Sequence, residues 1–428
     1  MEQIHYEQLD ETLFKKELEN GLSVFLLPKR QRAKSYAIFM TDYGSMHNTF
    51  TPLNQQERIT VPDGIAHFLE HKLFEKEDHD IFTDFTKLGA SPNAYTSFSK
   101  TAYLFSTIEH VEENVELLLD FVQEPYFSDA SVEKEKGIIA QEIKMYDDQP
   151  GWRSFMGTIK NMYEALPINI DIAGTVSSIN KITKEDLYIC YETFYHPSNM
   201  ALFVTGNFDE QTLMKLIEAN QGKKSFKPKE KIDVFFPTEP TEVNKKHERI
   251  SLPVSRPKVM LGIKEKEQRL EGEALLRQEV IQDLVLDYFF SESGQFYETL
   301  NKKQLIDDSF EYSTTVEEMY NFTLIGSHTD DVKGFEQTIK QLLQQTKTLE
   351  IDRETVERLQ RKKIGETLRE MNSLEQIASN YLHYYFAGVD YFSVLSTIQS
   401  ITTDEVNKYI HDWIDEERIT TFIIEKGT

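Results

Sequence analysis

The stretch Ile179-x-x-Ile182-Thr183-x-Glu185-Asp186-Leu187 recurs 219 residues later as Ile398-x-x-Ile401-Thr402-x-Asp404-Glu405-Val406. Each copy opens a helix-like segment and precedes a strand-like run, Met200 to Thr205 in one case and Ile419 to Ile424 in the other. Ser131-Val132-Glu133 is echoed at Thr355-Val356-Glu357, each at the head of a long charged helix pattern. Matches at a nearly constant offset describe a chain of two similar halves. Between them, Gly222 to Lys246 carries five lysines before Ile232 and then Pro237 and Pro240, the composition of an interdomain linker or of a surface loop. The expected division is therefore 1–221, a linker at 222–246, and 247–428.

Within each half, strands and helices are mixed rather than strictly alternating. Leu22 to Leu27, Tyr36 to Met40, Ala102 to Thr107 and Met200 to Thr205 read as strands in the first half. Val259 to Ile263, Phe322 to Ile325 and Ile419 to Ile424 do so in the second. That order predicts an α+β fold, with a mixed sheet and helices in each half. A chain of 428 residues with 28 Phe and 20 Tyr can bury more than one core. No apolar run is long enough for a transmembrane helix, which argues against a membrane partner. The formal charge of -25 argues against nucleic acid. The N-terminal stretch lacks a secretory apolar region, and one cysteine, Cys190, precludes an internal disulfide framework. A cytoplasmic location is expected.

Chemistry enters at His67-Phe68-Leu69-Glu70-His71. On a helix, positions i, i+3 and i+4 share one face. Two neutral imidazoles one turn apart can grip a zinc ion while Glu70 stands beside it as proton acceptor. Ile65, Phe68, Leu69 and Leu73 supply an apolar stripe on the other side, and Asp63 is positioned to cap the helix. Two histidines need a third protein ligand if one coordination position is to stay open for water. Ser131 to Tyr146 also reads as a helix, with Glu135 and Glu142 on the face of Ile138, Ile139 and Tyr146. A carboxylate facing a core is costly unless it is paired or bound to metal. Glu142 is the expected third ligand, and Glu135 the group supporting the site from behind.

With Glu135 and Glu142 downstream, His67-x-x-Glu70-His71 resembles the inverzincin zinc peptidases: pitrilysin, insulin-degrading enzyme and mitochondrial processing peptidase. Asn20-Gly21-Leu22, Gly44-Ser45, Gly64-Ile65-Ala66, Asn93-Ala94-Tyr95-Thr96-Ser97 and Tyr195-His196-Pro197 are similar to that family too. The resemblance implies two homologous α/β roll domains enclosing a peptide-binding chamber. It implies one zinc ion per chain on His67, His71 and Glu142, with Glu70 as base and Glu135 in support. It also implies substrate binding along Asn93, Ala94, Tyr95 and Thr96, where an extended peptide adds as a further strand.

The second half departs from the pattern. The 219-residue offset carries the zinc motif onto Leu286 to Phe290, which has no histidine. Where active single-chain relatives carry an Arg and a Tyr, this chain has Asn301 and Asp308, and Tyr312 is out of register. The expected function is a zinc endopeptidase for peptides or short unfolded segments. A homologous subunit would supply the Arg and Tyr, with a homodimer as another route. The alternatives are a peptide-binding or scaffolding subunit that keeps zinc without cleaving, and a zinc hydrolase of non-peptide substrates.

Overall fold

The structure is a computed structural model and describes residues 1–53, 55–77 and 79–427. The chain forms two compact units, each with its own sheet.

The first unit holds a seven-stranded sheet built from β1 (Glu2–Tyr6), β2 (Glu11–Glu17), β3 (Ser23–Pro28), β4 (Ser35–Thr41), β7 (Ser91–Thr96), β8 (Thr101–Thr107) and β9 (Met200–Gly206). The order is β1-β2-β3-β9-β4-β8-β7. Only β3 and β9 run parallel; every other pair is antiparallel. A small second sheet joins β5 (Thr49–Thr51), β6 (Ile59–Thr60) and β10 (Asp233–Val234). Every residue of β4 and β9 is buried, so these central strands are covered on both faces, which is why they read as unbroken apolar runs.

The second unit repeats the plan with β11 (His247–Leu252), β12 (Lys258–Lys264), β13 (Glu311–Val316), β14 (Asn321–His328) and β15 (Ile419–Lys426). Its order, β11-β15-β12-β14-β13, matches β3-β9-β4-β8-β7 strand for strand, including the single parallel pair. The repeated stretch explains part of this likeness locally. Thr183 and Thr402 are both helix N-caps that close capping boxes, with Asp186 and Glu405 respectively. Ile179, Ile182, Ile398 and Ile401 just before them are buried. Each capped helix leads through a short 3-10 turn into the strand of its half's parallel pair, β9 beside β3 or β15 beside β11.

The compact units do not follow the expected division of the chain. Met145–Asn169, from the first half, belongs to the second unit, and Met371–Leu382, from the second half, belongs to the first. The helix Pro150–Met162 packs on β12 and β15, where a side chain at Gly157 would strike the Phe422 ring at 2.2 Å. The helix Leu374–Phe386 sets Tyr381 against Phe25 and Phe203 of the first sheet, with ring centroids 4.8 and 5.0 Å apart. The two halves thus exchange equivalent helices. Nor is 222–246 a plain linker: β10 pairs with β5, and the boundary between units falls at Phe236 and Pro237.

Candidate metal centre

The expected cap at Asp63 is not used. The helix Ile65–Phe74 starts from Gly64, whose φ is 89°, and Asp63 instead accepts from Asn48 Nδ2 at 3.1 Å. A Cβ at Gly64 would lie 2.5 Å from the carbonyl oxygen of Ala173, so the turn into the helix is pressed against a second loop. Ile65, Phe68, Leu69 and Leu73 enter the core as expected. The opposite face is not wet: His67 and Glu70 are only 9% and 8% exposed.

That face meets the helix Asp129–Asp147. Ile139 is fully buried and Glu135 nearly so, with Glu142 two turns beyond Glu135. Ile138, expected on the same face, lies at its margin and is 45% exposed. Glu142 Oε1 is 3.6 Å from His67 Nε2, and Oε2 is 3.5 Å from His71 Nε2. One ligand atom from each of the three residues lies within 4.8 Å of the others. Zinc bonds of about 2.0–2.2 Å in a tetrahedron separate ligand atoms by about 3.3–3.6 Å. The donor set therefore fits zinc, with two imidazole nitrogens and a carboxylate oxygen. Among the described residues no other group of His, Cys, Asp or Glu forms such a cluster.

The Glu135 carboxylate accepts from His71 Nδ1 at 3.0 Å, which leaves Nε2 as a lone pair facing Glu142. Burial opposes charge on His71. The hydrogen bond to Glu135 and the charges of Glu70, Glu135 and Glu142 outweigh it and hold the imidazole pKa above its usual value. Three carboxylates around two imidazoles make a site that attracts a cation. Thr96 Oγ1 donates to Glu70 Oε2 at 2.7 Å. Tyr103 and Tyr195 share a 2.8 Å hydroxyl contact nearby, and burial keeps both phenols protonated.

Asn93, Ala94, Tyr95 and Thr96 all fall on β7, an edge strand that among the described residues pairs with β8 alone. Their side chains divide by the pleat: Ala94 and Thr96 are half-buried, whereas Asn93 and Tyr95 are exposed. Asn93 and Ala94 line an open cleft of ≈ 540 Å³ with Glu70, His71, Phe82 and Ile138. In the second unit, Asn301 and Asp308 are exposed, and Tyr312 sits on β13 between Phe290 and Phe310. The helix Gly272–Phe290, where the repeat places the missing motif, carries Asp287 against the Lys362 ammonium. That ammonium is also 3.7 Å from Glu366. The Thr96 link to Glu70 and the buried tyrosine pair went unread in the sequence, because each depends on which strand lies against the motif helix.

Residues 57–176 match the family model described as Insulinase (Peptidase family M16), and residues 181–363 match Peptidase M16 inactive domain. YmfH of Bacillus subtilis (strain 168), described as an uncharacterized zinc protease, is 46% identical over 417 residues, 97% of each chain. The chain belongs to peptidase family M16. A crystal structure described as that of an M16-like peptidase from Alicyclobacillus acidocaldarius superposes with a TM-score of 0.94 at 36% identity, covering 99% of this M16 chain and 100% of that one. Mitochondrial-processing peptidase subunit beta of Lentinula edodes is 30% identical over 161 residues, 36% of this chain and 34% of that protein. Among the described residues, no helix of this M16 protein is long and apolar enough to cross a membrane.

Proposed function

We propose that this M16 chain is a zinc endopeptidase acting on peptides or short unfolded segments, with one zinc ion held by His67, His71 and Glu142. The observation that carries the proposal is the meeting of those three ligand atoms within 4.8 Å, beside the buried carboxylate of Glu70. Bound there, zinc would lower the pKa of a water toward about 7 and polarise a scissile carbonyl. Glu70 would take the water's proton and return it to the leaving amine. Glu135 would hold His71 in the tautomer that offers Nε2 to the metal. An extended peptide would add to the free edge of β7 along Asn93 to Thr96 through main-chain hydrogen bonds, giving affinity with little sequence preference. A cytoplasmic location fits the single, buried cysteine.

Asn301 and Asp308 support a two-subunit enzyme, because neither side chain can act as the guanidinium or phenol that the family resemblance calls for. They equally support the second reading, a subunit that binds zinc and peptides without cleaving. Elemental analysis and peptide cleavage test both. His67→Ala and Glu142→Gln should lose zinc, whereas Glu70→Gln should keep it and lose about 10²–10⁴-fold in rate. Full zinc in both ligand variants would refute the ligand set. Near-normal cleavage by Glu70→Gln would refute the base. Failure of the zinc-loaded protein to cleave with any homologous subunit would favour the scaffold.

A further inference from the structure

We infer that Thr96 is a positioning residue for the base, acting through its hydroxyl on Glu70 rather than on the substrate. The inference rests on Glu70 being that base. β7 packs against the motif helix Ile65–Phe74, and its pleat sends every second side chain toward that helix. Thr96 is one of these. Its hydroxyl donates to Glu70 Oε2 at 2.7 Å, a well-formed O–H···O hydrogen bond.

Glu70 Oε2 is thereby held, while no hydrogen bond within the described residues falls on Oε1. A base needs this asymmetry, with one oxygen tied to fix the carboxylate plane and the other free for the incoming proton. Glu70 is 8% exposed as a residue, and among the described residues no other hydrogen bond fixes its carboxylate. Thr96 therefore joins two functions in one strand. The main chain of β7 would receive the peptide, and the inward side chain at its last residue sets the angle of the group that acts on it. Asn93 and Tyr95, on the other face of the pleat, have no part in this link.

Four variants test the inference: Thr96→Val, Thr96→Ser, Glu70→Gln, and Thr96→Val combined with Glu70→Gln. Each is loaded with zinc, analysed for metal, and assayed with one internally quenched peptide, together with the homologous subunit if cleavage needs it. Thr96→Val should keep its zinc and its KM while kcat falls about 10–100-fold, the usual loss when a supporting hydrogen bond is removed. Thr96→Ser, which retains the hydroxyl, should recover most of that loss. In the Glu70→Gln background, Thr96→Val should add little, because the residue acts through Glu70. A crystal structure of Thr96→Val should show the Glu70 carboxylate turned from its present position. Several outcomes would overturn the role: a raised KM at unchanged kcat, an equal loss in both backgrounds, or an unmoved Glu70. Normal activity of Glu70→Gln would instead overturn the base itself, so the two failures are distinguishable.

Discussion

Glu265, just after β12 in the second unit's five-stranded sheet, is 3% exposed and gathers three donors on one oxygen. Its Oε1 accepts from Trp413 Nε1 at 2.9 Å, Thr323 Oγ1 at 3.0 Å and Tyr409 at 3.1 Å. Burial nonetheless pushes its carboxyl up to about 7, against the opposing pull of those bonds. The folded state then binds a proton that the unfolded chain releases near 4.5. The resulting stabilisation is complete below about 4.5 and is lost as pH rises through about 7. Glu265→Gln stays neutral throughout and keeps an oxygen for all three donors. Between pH 5 and pH 8 the wild type should therefore lose roughly 1–3 kcal/mol relative to this variant. Thermal unfolding of both proteins across that range measures it, and parallel curves would contradict it. Such a group is invisible in sequence, where Glu265 is one acid among many. His67, Glu70 and His71 were legible because i, i+3, i+4 spacing fixes a face before any tertiary contact exists. Glu142 was legible because a carboxylate on an apolar stripe demands a partner. Thr96 was seen only as a strand residue, since its link to Glu70 depends on how β7 lies against the motif helix.

At the scale of elements, the central strands declared themselves. β4, β9, β12 and β15 are buried along most of their length, and apolar residues make up half or more of each. β2 and β11 escaped notice because they alternate or mix polar residues near the sheet margins. The exchange of helices was also illegible, since an amphipathic pattern such as that of Pro150–Met162 shows that a face is buried but not which sheet covers it. The motif helix is placed by its start as much as by its stripe. Gly64 combines a φ of 89° with a carbonyl 2.5 Å from where a Cβ would stand, so Gly64→Ala meets backbone strain and a clash together. We expect a loss of at least about 1–2 kcal/mol in thermal or urea unfolding, with lower zinc content as His67 and His71 shift. Unchanged stability and full zinc would show that the turn can relax without moving the helix.

Across the whole molecule, two units of one topology carry unequal chemistry. The first collects two imidazoles and three carboxylates. In the second, the helix in the motif's place carries Asp287 beside the Lys362 ammonium, a single positive charge that offers no open coordination position. The likeness of the two halves was legible from one nine-residue repeat, because capping boxes require the same residue types at the same spacing. That the second half holds no such ligand cluster among the described residues was legible too, from the missing histidines. On the proposed function, a chain with Asn301 and Asp308 in place of an Arg and a Tyr would lack a donor for the charge that develops on the substrate oxygen. In a well-studied hydrolase, losing one such donor costs about 10²–10³ in rate. Losing two could hide activity, though groups that act together do not add simply. The zinc-loaded chain assayed alone should therefore cleave peptides feebly, and should gain activity in proportion to an added homologous subunit carrying the Arg and Tyr until the two are equimolar. A homodimer drawing on Tyr312 predicts a different curve: activity rising with the square of this chain's own concentration at low concentration, and no response to the second protein. Full activity of the single chain at all concentrations would show that its own residues supply the missing donors.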